Sequence, residues 1–172
     1  MRSNREEVVA PVKHVKMYTD GGCINNPGPG GYAAILLFGN HRKEISGGFR
    51  FTTNNRMELY AAIAGLSALK ERCKVTIYSD SQYLVNAMEK GWAAKWREQQ
   101  WWRNKKRGER ALNPDLWEKL LQACDNHETD FKWLRGHAGS EENEHCDELA
   151  KAAARGADLA IDTVYERANP AG

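Results

Sequence analysis

With 172 residues, 41% of them hydrophobic and 28% charged, the chain is long enough for one globular domain with a substantial core; this composition excludes a disordered or fibrous polymer. No run approaches about 18 apolar residues, and the opening Met1-Arg2-Ser3-Asn4-Arg5-Glu6-Glu7 holds no apolar stretch, so neither export nor a membrane span is expected and the cytoplasm is the expected compartment. The net charge of +2 hides an asymmetry: between positions 90 and 110 eight basic residues stand against only Glu98 and Glu109, a basic arm of net +6 on a body of net −4.

Residues 1–13 are polar, include Pro11, and read as a flexible leader. Val15 to Thr19 is a first strand, with Met17 and Thr19 alternating with Lys16 and Tyr18. It delivers Asp20 to Gly21-Gly22, and the two glycines are expected to end the strand at the carboxylate. Tyr32 to Phe38 is a second strand, Gly39-Asn40 a hairpin turn and Lys43 to Phe51 a third strand, all antiparallel neighbours. Helical spacing follows: Leu59, Ala62, Ile63, Leu66 and Leu69 form one apolar stripe. Thr53-Asn54-Asn55 supplies the candidate N-caps, which puts Glu58 in the first turn.

A strand at 75–79 ends on Asp80, and a short helix runs from Ser81 to about Met88. Gly91 breaks it before the basic segment, about 90–112, which holds Trp92, Trp96, Trp101 and Trp102. Trp92 and Trp96 are i, i+4 apart, so core packing is their first explanation. Asn113-Pro114-Asp115 starts another helix with Leu116, Leu120 and Ala123 inward, and Asp130 to Leu134 is a fifth strand. After Gly136-His137-Ala138-Gly139, Ser140 caps a last helix whose inner stripe is Cys146, Leu149, Ala150 and Ala153. Beyond Gly156 the periodicity fades, and residues 156–172 are expected to form a loosely held tail. A meander followed by alternating strands and helices makes an α/β domain around one mixed sheet.

The carriers of chemistry are carboxylates. Strands ending on Asp20 and Asp80 suggest two acids side by side at one sheet edge, an arrangement that costs stability unless a cation or a shared proton relieves it. Glu58 lies one residue off its apolar stripe and Asp147 follows inward-facing Cys146, so both point toward the helix–sheet boundary. Each acid also has an ordinary structural reading. Glu58 can close a capping box with Asn55, Asp147 can pair with Lys151, Asp20 can serve the turn, and Asp80 can cap a helix at the amide of Tyr83. Spacing leaves both readings open. Cys23, Cys73, Cys124 and Cys146 lack C-x-x-C spacing and read as reduced thiols.

The segments Tyr18-Thr19-Asp20-Gly21, Asn26-Pro27-Gly28-Pro29-Gly30-Gly31-Tyr32, Thr52-Thr53-Asn54-Asn55-Arg56-Met57-Glu58-Leu59, Ser79-Asp80-Ser81-Gln82-Tyr83, and Gly136-His137-Ala138-Gly139 to Asp147-Glu148-Leu149-Ala150 closely resemble the type 1 ribonuclease H family in its bacterial form, in register from about residue 14 to 155. The resemblance implies a five-stranded mixed sheet of order 3-2-1-4-5 with helices on both faces and a basic helical protrusion. It implies cleavage of the RNA strand of an RNA–DNA hybrid, with two Mg2+ ions (Mn2+ a possible substitute) on Asp20, Glu58, Asp80 and Asp147, leaving 5′-phosphate and 3′-hydroxyl ends. Hard Mg2+ wants oxygen ligands, so Asp and Glu suit it and Cys does not. The resemblance gives His137 a part in proton transfer or product departure, with Glu144 a weaker candidate beside it. Asn26, Asn54, Asn55 and Gln82 match amide positions facing the minor groove, where a 2′-hydroxyl needs a donor and an acceptor. Thr53 and Asn113 match a pocket for a phosphate of the DNA strand, with Phe51 near the place of an arginine sometimes found there. Lys105, Lys106 and Arg107 match the basic protrusion. Gly22 departs from the family's common Ser. A monomer is the default, with no protein partner evident.

Overall fold

The computed structural model describes residues 11–135 and 140–170. In chain order its elements are β1 (Lys13–Cys23), β2 (Gly28–Phe38), β3 (His41–Thr52), α1 (Asn54–Ser67), β4 (Cys73–Ser79), α2 (Gln82–Glu89), α3 (Trp92–Glu98), β5 (Trp102–Asn104), β6 (Glu109–Arg110), α4 (Pro114–Asp125), β7 (Glu128–Trp133), α5 (Glu141–Ala154), β8 (Leu159–Ala160) and α6 (Thr163–Ala168). The main sheet runs β7-β4-β1-β2-β3-β8. β1, β2 and β3 are an antiparallel meander, and β4 and β7 add in parallel on the far side of β1. Five of these strands keep the expected 3-2-1-4-5 order. The sheet nevertheless has six strands, because Gly48 and Phe49 of β3 pair with Leu159 and Ala160.

Side-chain alternation along β1 sorts the two faces. Met17 joins Val75, Ile77, Leu59, Leu66, Leu120 and the fully buried Trp117 in the larger core, under α1 and α4. Ala33 and Ile35 of β2 meet Cys146 and Ala150 of α5 on the other face. Of the expected α1 stripe, Leu59, Ala62 and Leu66 are buried, whereas Ile63 and Leu69 are only partly covered at the rim.

Three local expectations are corrected. Gly21 and Gly22 do not end the first strand; they pair with Tyr32 and Gly31, and β1 continues to Cys23. Gly21 is needed for a different reason: a Cβ there would overlap the Met57 carbonyl and crowd the Glu58 amide nitrogen, so α1 rests directly on the β1 backbone. Thr53 is the N-cap of α1, accepting from the Arg56 N–H at 3.2 Å, so Glu58 lies in the second turn and takes no part in a capping box. The tail is docked, not loose. Arg56, 3% exposed, donates from Nε and Nη2 to both oxygens of Asp162 at 2.6 and 2.8 Å, and from Nη1 and Nη2 to Asp115 at 2.9 and 2.8 Å. Thr52 donates its hydroxyl to Asp162 at 2.7 Å, Arg50 holds Glu166 at 2.9 Å, and the Phe51 and Tyr165 rings lie 5.4 Å apart. A two-residue strand and a six-residue helix are too short to leave a period in the sequence.

The basic arm, expected as a helical protrusion, is helix α3 followed by a two-stranded ribbon, β5 with β6. Its tryptophans divide. Trp96 packs edge-on against Trp117 with ring centres 5.9 Å apart, as core packing requires. Trp92 is exposed beneath the Lys90 ammonium, and Trp102 stacks on the Arg110 guanidinium. No helix among the described residues is long and apolar enough to cross a membrane.

Candidate metal centre and nucleic-acid face

Four elements bring the acids together. Asp20 sits within β1, opposite Ala33, with its backbone held by the sheet. Glu58 arrives from the second turn of α1, at the distance that Gly21 permits. Asp80 lies in the joint between β4 and α2, and Asp147 in the second turn of α5. Asp20, Glu58 and Asp80 each offer one carboxylate oxygen, and these oxygens lie within 4.8 Å of one another. Asp147 lies beside Asp20, close enough for its side chain and charge to raise the Asp20 carboxyl.

The electrostatics of this nest are unfavourable as it stands. Burial, the Asp80 charge, and the hydrogen bond and charge of Asp147 push Asp20 up to about 8, against the opposing Gly21 N–H, which donates to Asp20 Oδ1 at 2.9 Å. Burial and then the charges of Asp20 and Asp80 raise Glu58 well above the usual carboxylate range. Glu58 Oε2 is buried with no hydrogen-bond partner. A buried orphan oxygen inside an all-carboxylate cluster fits a hard divalent cation. Sulfur takes no part. Cys146, beneath the acids, is pushed up by burial and by their charges and donates its Sγ hydrogen to Ala33 O at 3.2 Å. All four cysteines are free thiols.

The ordinary structural readings fail for Asp20, Glu58 and Asp80 and hold for Asp147. Ser81, not Asp80, caps α2, accepting from the Leu84 N–H at 3.2 Å. Asp20 is a strand residue, not a turn residue. The Asp147–Lys151 pair does form, at 2.8 Å, on a carboxylate 42% exposed, and so coexists with the contact to Asp20.

The amide residues lie around the same edge. Asn54 accepts the Cys23 N–H at 2.7 Å and Asn26 accepts the Asn54 N–H at 3.1 Å, tying the loop after β1 to the start of α1. Each amide spends its carbonyl oxygen on the backbone. Asn55 is exposed in the first turn of α1, and Gln82 is exposed at the first position of α2. Asn113 precedes α4 with φ of 58°, accepts from Arg56 Nη1 at 3.3 Å and donates to the Tyr83 hydroxyl at 3.1 Å. Thr53 uses its hydroxyl oxygen as the α1 cap. A groove of about 510 Å³ runs from Gln82 and Tyr83 to Trp92, Lys95 and Arg103 at the base of the arm. Lys105, Lys106 and Arg107 are exposed in the turn between β5 and β6. Gly22 has room for a side chain, since a Cβ would meet only Asn54 Oδ1 at 3.7 Å. Glu144 is exposed in the first turn of α5. His137 falls outside the described residues.

Two residues escaped sequence reasoning. Arg56 looks like a solvated helix-start residue, and its partners stand 59 and 106 positions away. Trp133 closes β7 and donates its indole N–H to the Asp80 carbonyl at 3.2 Å. Strand alternation puts Trp133 on the same face as the buried Phe131 and so gives no hint that it is exposed or makes that bond.

An oxygen-only nest in a mixed α/β sheet domain that also carries a basic arm is an arrangement that suits a divalent cation and a polyanion. Residues 12–155 match the RNase H family model, and the chain belongs to the RNase H family. It is 61% identical over 155 residues to the ribonuclease H of Syntrophus aciditrophicus, covering 90% of this chain and 88% of that one. It is 55% identical over 140 residues to the ribonuclease HI of Synechocystis, covering 81% and 86%. Among solved structures, LC9-RNase H1, a type 1 RNase H with the type 2 active-site motif, superposes with a TM-score of 0.76 at 29% identity, over 95% of this chain and 83% of that one. LC11-RNase H1 in complex with an RNA/DNA hybrid shares the fold at a TM-score of 0.61 and 22% identity, over 88% of this chain and 99% of that one.

Proposed function

We propose that this chain is an endoribonuclease that hydrolyses the RNA strand of RNA–DNA hybrids, leaving 5′-phosphate and 3′-hydroxyl ends. The observation that carries the reading is the acid nest with its orphan oxygen at Glu58, in a member of the RNase H family. Asp20, Glu58, Asp80 and Asp147 would hold Mg2+, with Mn2+ as a substitute. When bound, a pair of divalent ions supplies Lewis-acid activation of water and charge screening at the phosphate.

The chain's own residues do the rest. Asp20, central to the nest, is presented from a backbone fixed by the sheet. Asn26, Asn54, Asn55 and Gln82 offer amide hydrogens to ribose hydroxyls, the chemical difference between the two strands of a hybrid. Thr53 and Asn113 grip a phosphate of the DNA strand, and Lys105, Lys106 and Arg107 add charge that attracts any polyanion. His137 moves a proton or eases product departure, because imidazole titrates near neutrality.

The test is cleavage of an end-labelled RNA–DNA hybrid, with and without Mg2+, followed by end-group analysis, beside a DNA duplex of the same sequence. Mg2+-dependent cutting of the RNA strand alone is the expected result. An uncut hybrid, or a DNA duplex cut as fast, would falsify the reading.

A further inference from the structure

The four acids differ in what holds their backbones. Asp20 belongs to the ladder of β1 and β2, and Glu58 and Asp147 lie inside helices. Asp80 alone stands outside regular structure, in the two-residue joint between Ser79, the end of β4, and Gln82, the start of α2. Ladder bonds stop at Ser79, which pairs with Trp133 and accepts the Leu134 N–H at 2.7 Å. Beyond that point Ser81 is tied into α2, its carbonyl accepting the Val85 N–H at 3.1 Å, and two side-chain bonds hold the rest of the joint. Ser79 Oγ accepts the Ser81 N–H at 3.0 Å, and Trp133 Nε1 donates to the Asp80 carbonyl at 3.2 Å.

Trp133 is a costly residue to keep there for packing alone, since it is 43% exposed at the end of an edge strand. What the indole uniquely supplies is a rigid N–H that reaches across from β7 to the peptide after β4. The geometry points to Trp133 as a positioning residue for Asp80: its hydrogen bond fixes the Asp80 peptide, and so the direction in which that carboxylate enters the nest. Ligating carboxylates are commonly oriented in this way by groups that never touch the metal. This inference rests on the proposed metal site.

Trp133→Phe keeps the ring and the strand preference and deletes the N–H. We measure Mn2+ binding to substrate-free protein by isothermal titration calorimetry for the wild type, Trp133→Phe and Asp80→Asn, together with Mg2+ dependence of cleavage. The expected result is Mn2+ binding weakened roughly three- to tenfold in Trp133→Phe, the worth of one lost hydrogen bond. Its half-saturating Mg2+ rises by a similar factor, KM for the hybrid is unchanged, and the melting temperature in EDTA stays within about two degrees because the ring is half in solvent. Binding and Mg2+ dependence identical to the wild type, with the wild type binding Mn2+ and Asp80→Asn impaired, overturns the role of Trp133 and leaves the metal site standing. A wild type that binds no Mn2+ removes the site itself. A lowered melting temperature in EDTA without any change in metal affinity assigns Trp133 to stability alone and also overturns the inference.

Discussion

Helix α1 carries two buried charges two residues apart, and they meet opposite surroundings. Arg56 is enclosed by Asp115 and Asp162, with every carboxylate oxygen of both accepting from its guanidinium. Glu58 is enclosed by Asp20 and Asp80, which repel it, and one of its oxygens has no partner at all. The first cluster is electrostatically complete and has a structural task. The second is incomplete, and near neutral pH it is relieved only by taking up protons or a cation. Incompleteness, not burial or charge alone, is what separates a site from a strut.

The sharpest way to test that contrast is to remove charge from the incomplete cluster. Asp20→Asn should cut hydrolysis by at least about a thousandfold, as loss of a central transition-state interaction does. The same variant should melt higher than the wild type in EDTA and lose most of the rise in melting temperature that Mg2+ confers. Near-normal turnover, or an undiminished Mg2+ shift, would show that the cluster does not work as a unit.

Breaking the complete cluster should have the reverse signature. Arg56→Met leaves the buried Asp162 and the partly buried Asp115 without a counter-charge, a change worth about 3 kcal/mol. In a domain of this size that lowers the melting temperature by roughly ten degrees. The Mg2+-induced rise should persist, because the metal ligands are untouched. Differential scanning fluorimetry with and without Mg2+ reads both variants in one experiment.

Acidity separates the clusters by sign. Asp20, held at about 8 in the fold against an ordinary value near 3.9 in the unfolded chain, contributes stability that is complete below about pH 4 and is lost as pH rises toward 8. Glu58 shifts in the same direction. Burial raises Asp115 too, but the Arg56 hydrogen bonds and charge outweigh it and hold that carboxyl below its usual range. Its contribution is therefore present above about pH 4 and lost only as pH falls further. Metal-free protein should thus melt lower at pH 8 than at pH 5.5, and Asp20→Asn should flatten that trend. A metal-free melting temperature that climbs over this interval would contradict the assignment.

The smallest effect belongs to the arm. Replacing Lys105, Lys106 and Arg107 with Ala should raise KM severalfold at low salt, leave kcat within about twofold, and flatten the dependence of KM on salt. These side chains lie in an exposed turn, so the fold should not register their loss.

How much of this was legible beforehand follows from the range of each interaction. Alternation in β1 and the stripe through Leu59, Ala62 and Leu66 are local patterns, and such patterns located β1 to β4, β7, α1, α2, α4 and α5, but they put Glu58 a turn too early and left out β5, β6, β8 and α6. Gly21 was visible as a glycine but not as a spacer, because the helix it admits lies 36 positions on at Met57. Arg56 carried no local signal, since both of its anchors are distant in sequence. The tail failed for the same reason: β8 and α6 are ordered by Arg50, Thr52 and Arg56 and not by any periodicity of their own. Trp92 and Trp96 share a helical spacing but not an environment, because only the second reaches Trp117.

The Arg56–Asp162 latch bears on how this protein is handled in the laboratory. A fragment trimmed to residue 155, where the family match ends, keeps Asp20, Glu58, Asp80 and Asp147 yet discards one of the two carboxylates that neutralise the guanidinium. Such a trimmed version would look intact by motif and still be fragile, so cloning boundaries for this nuclease belong after α6, beyond Ala168.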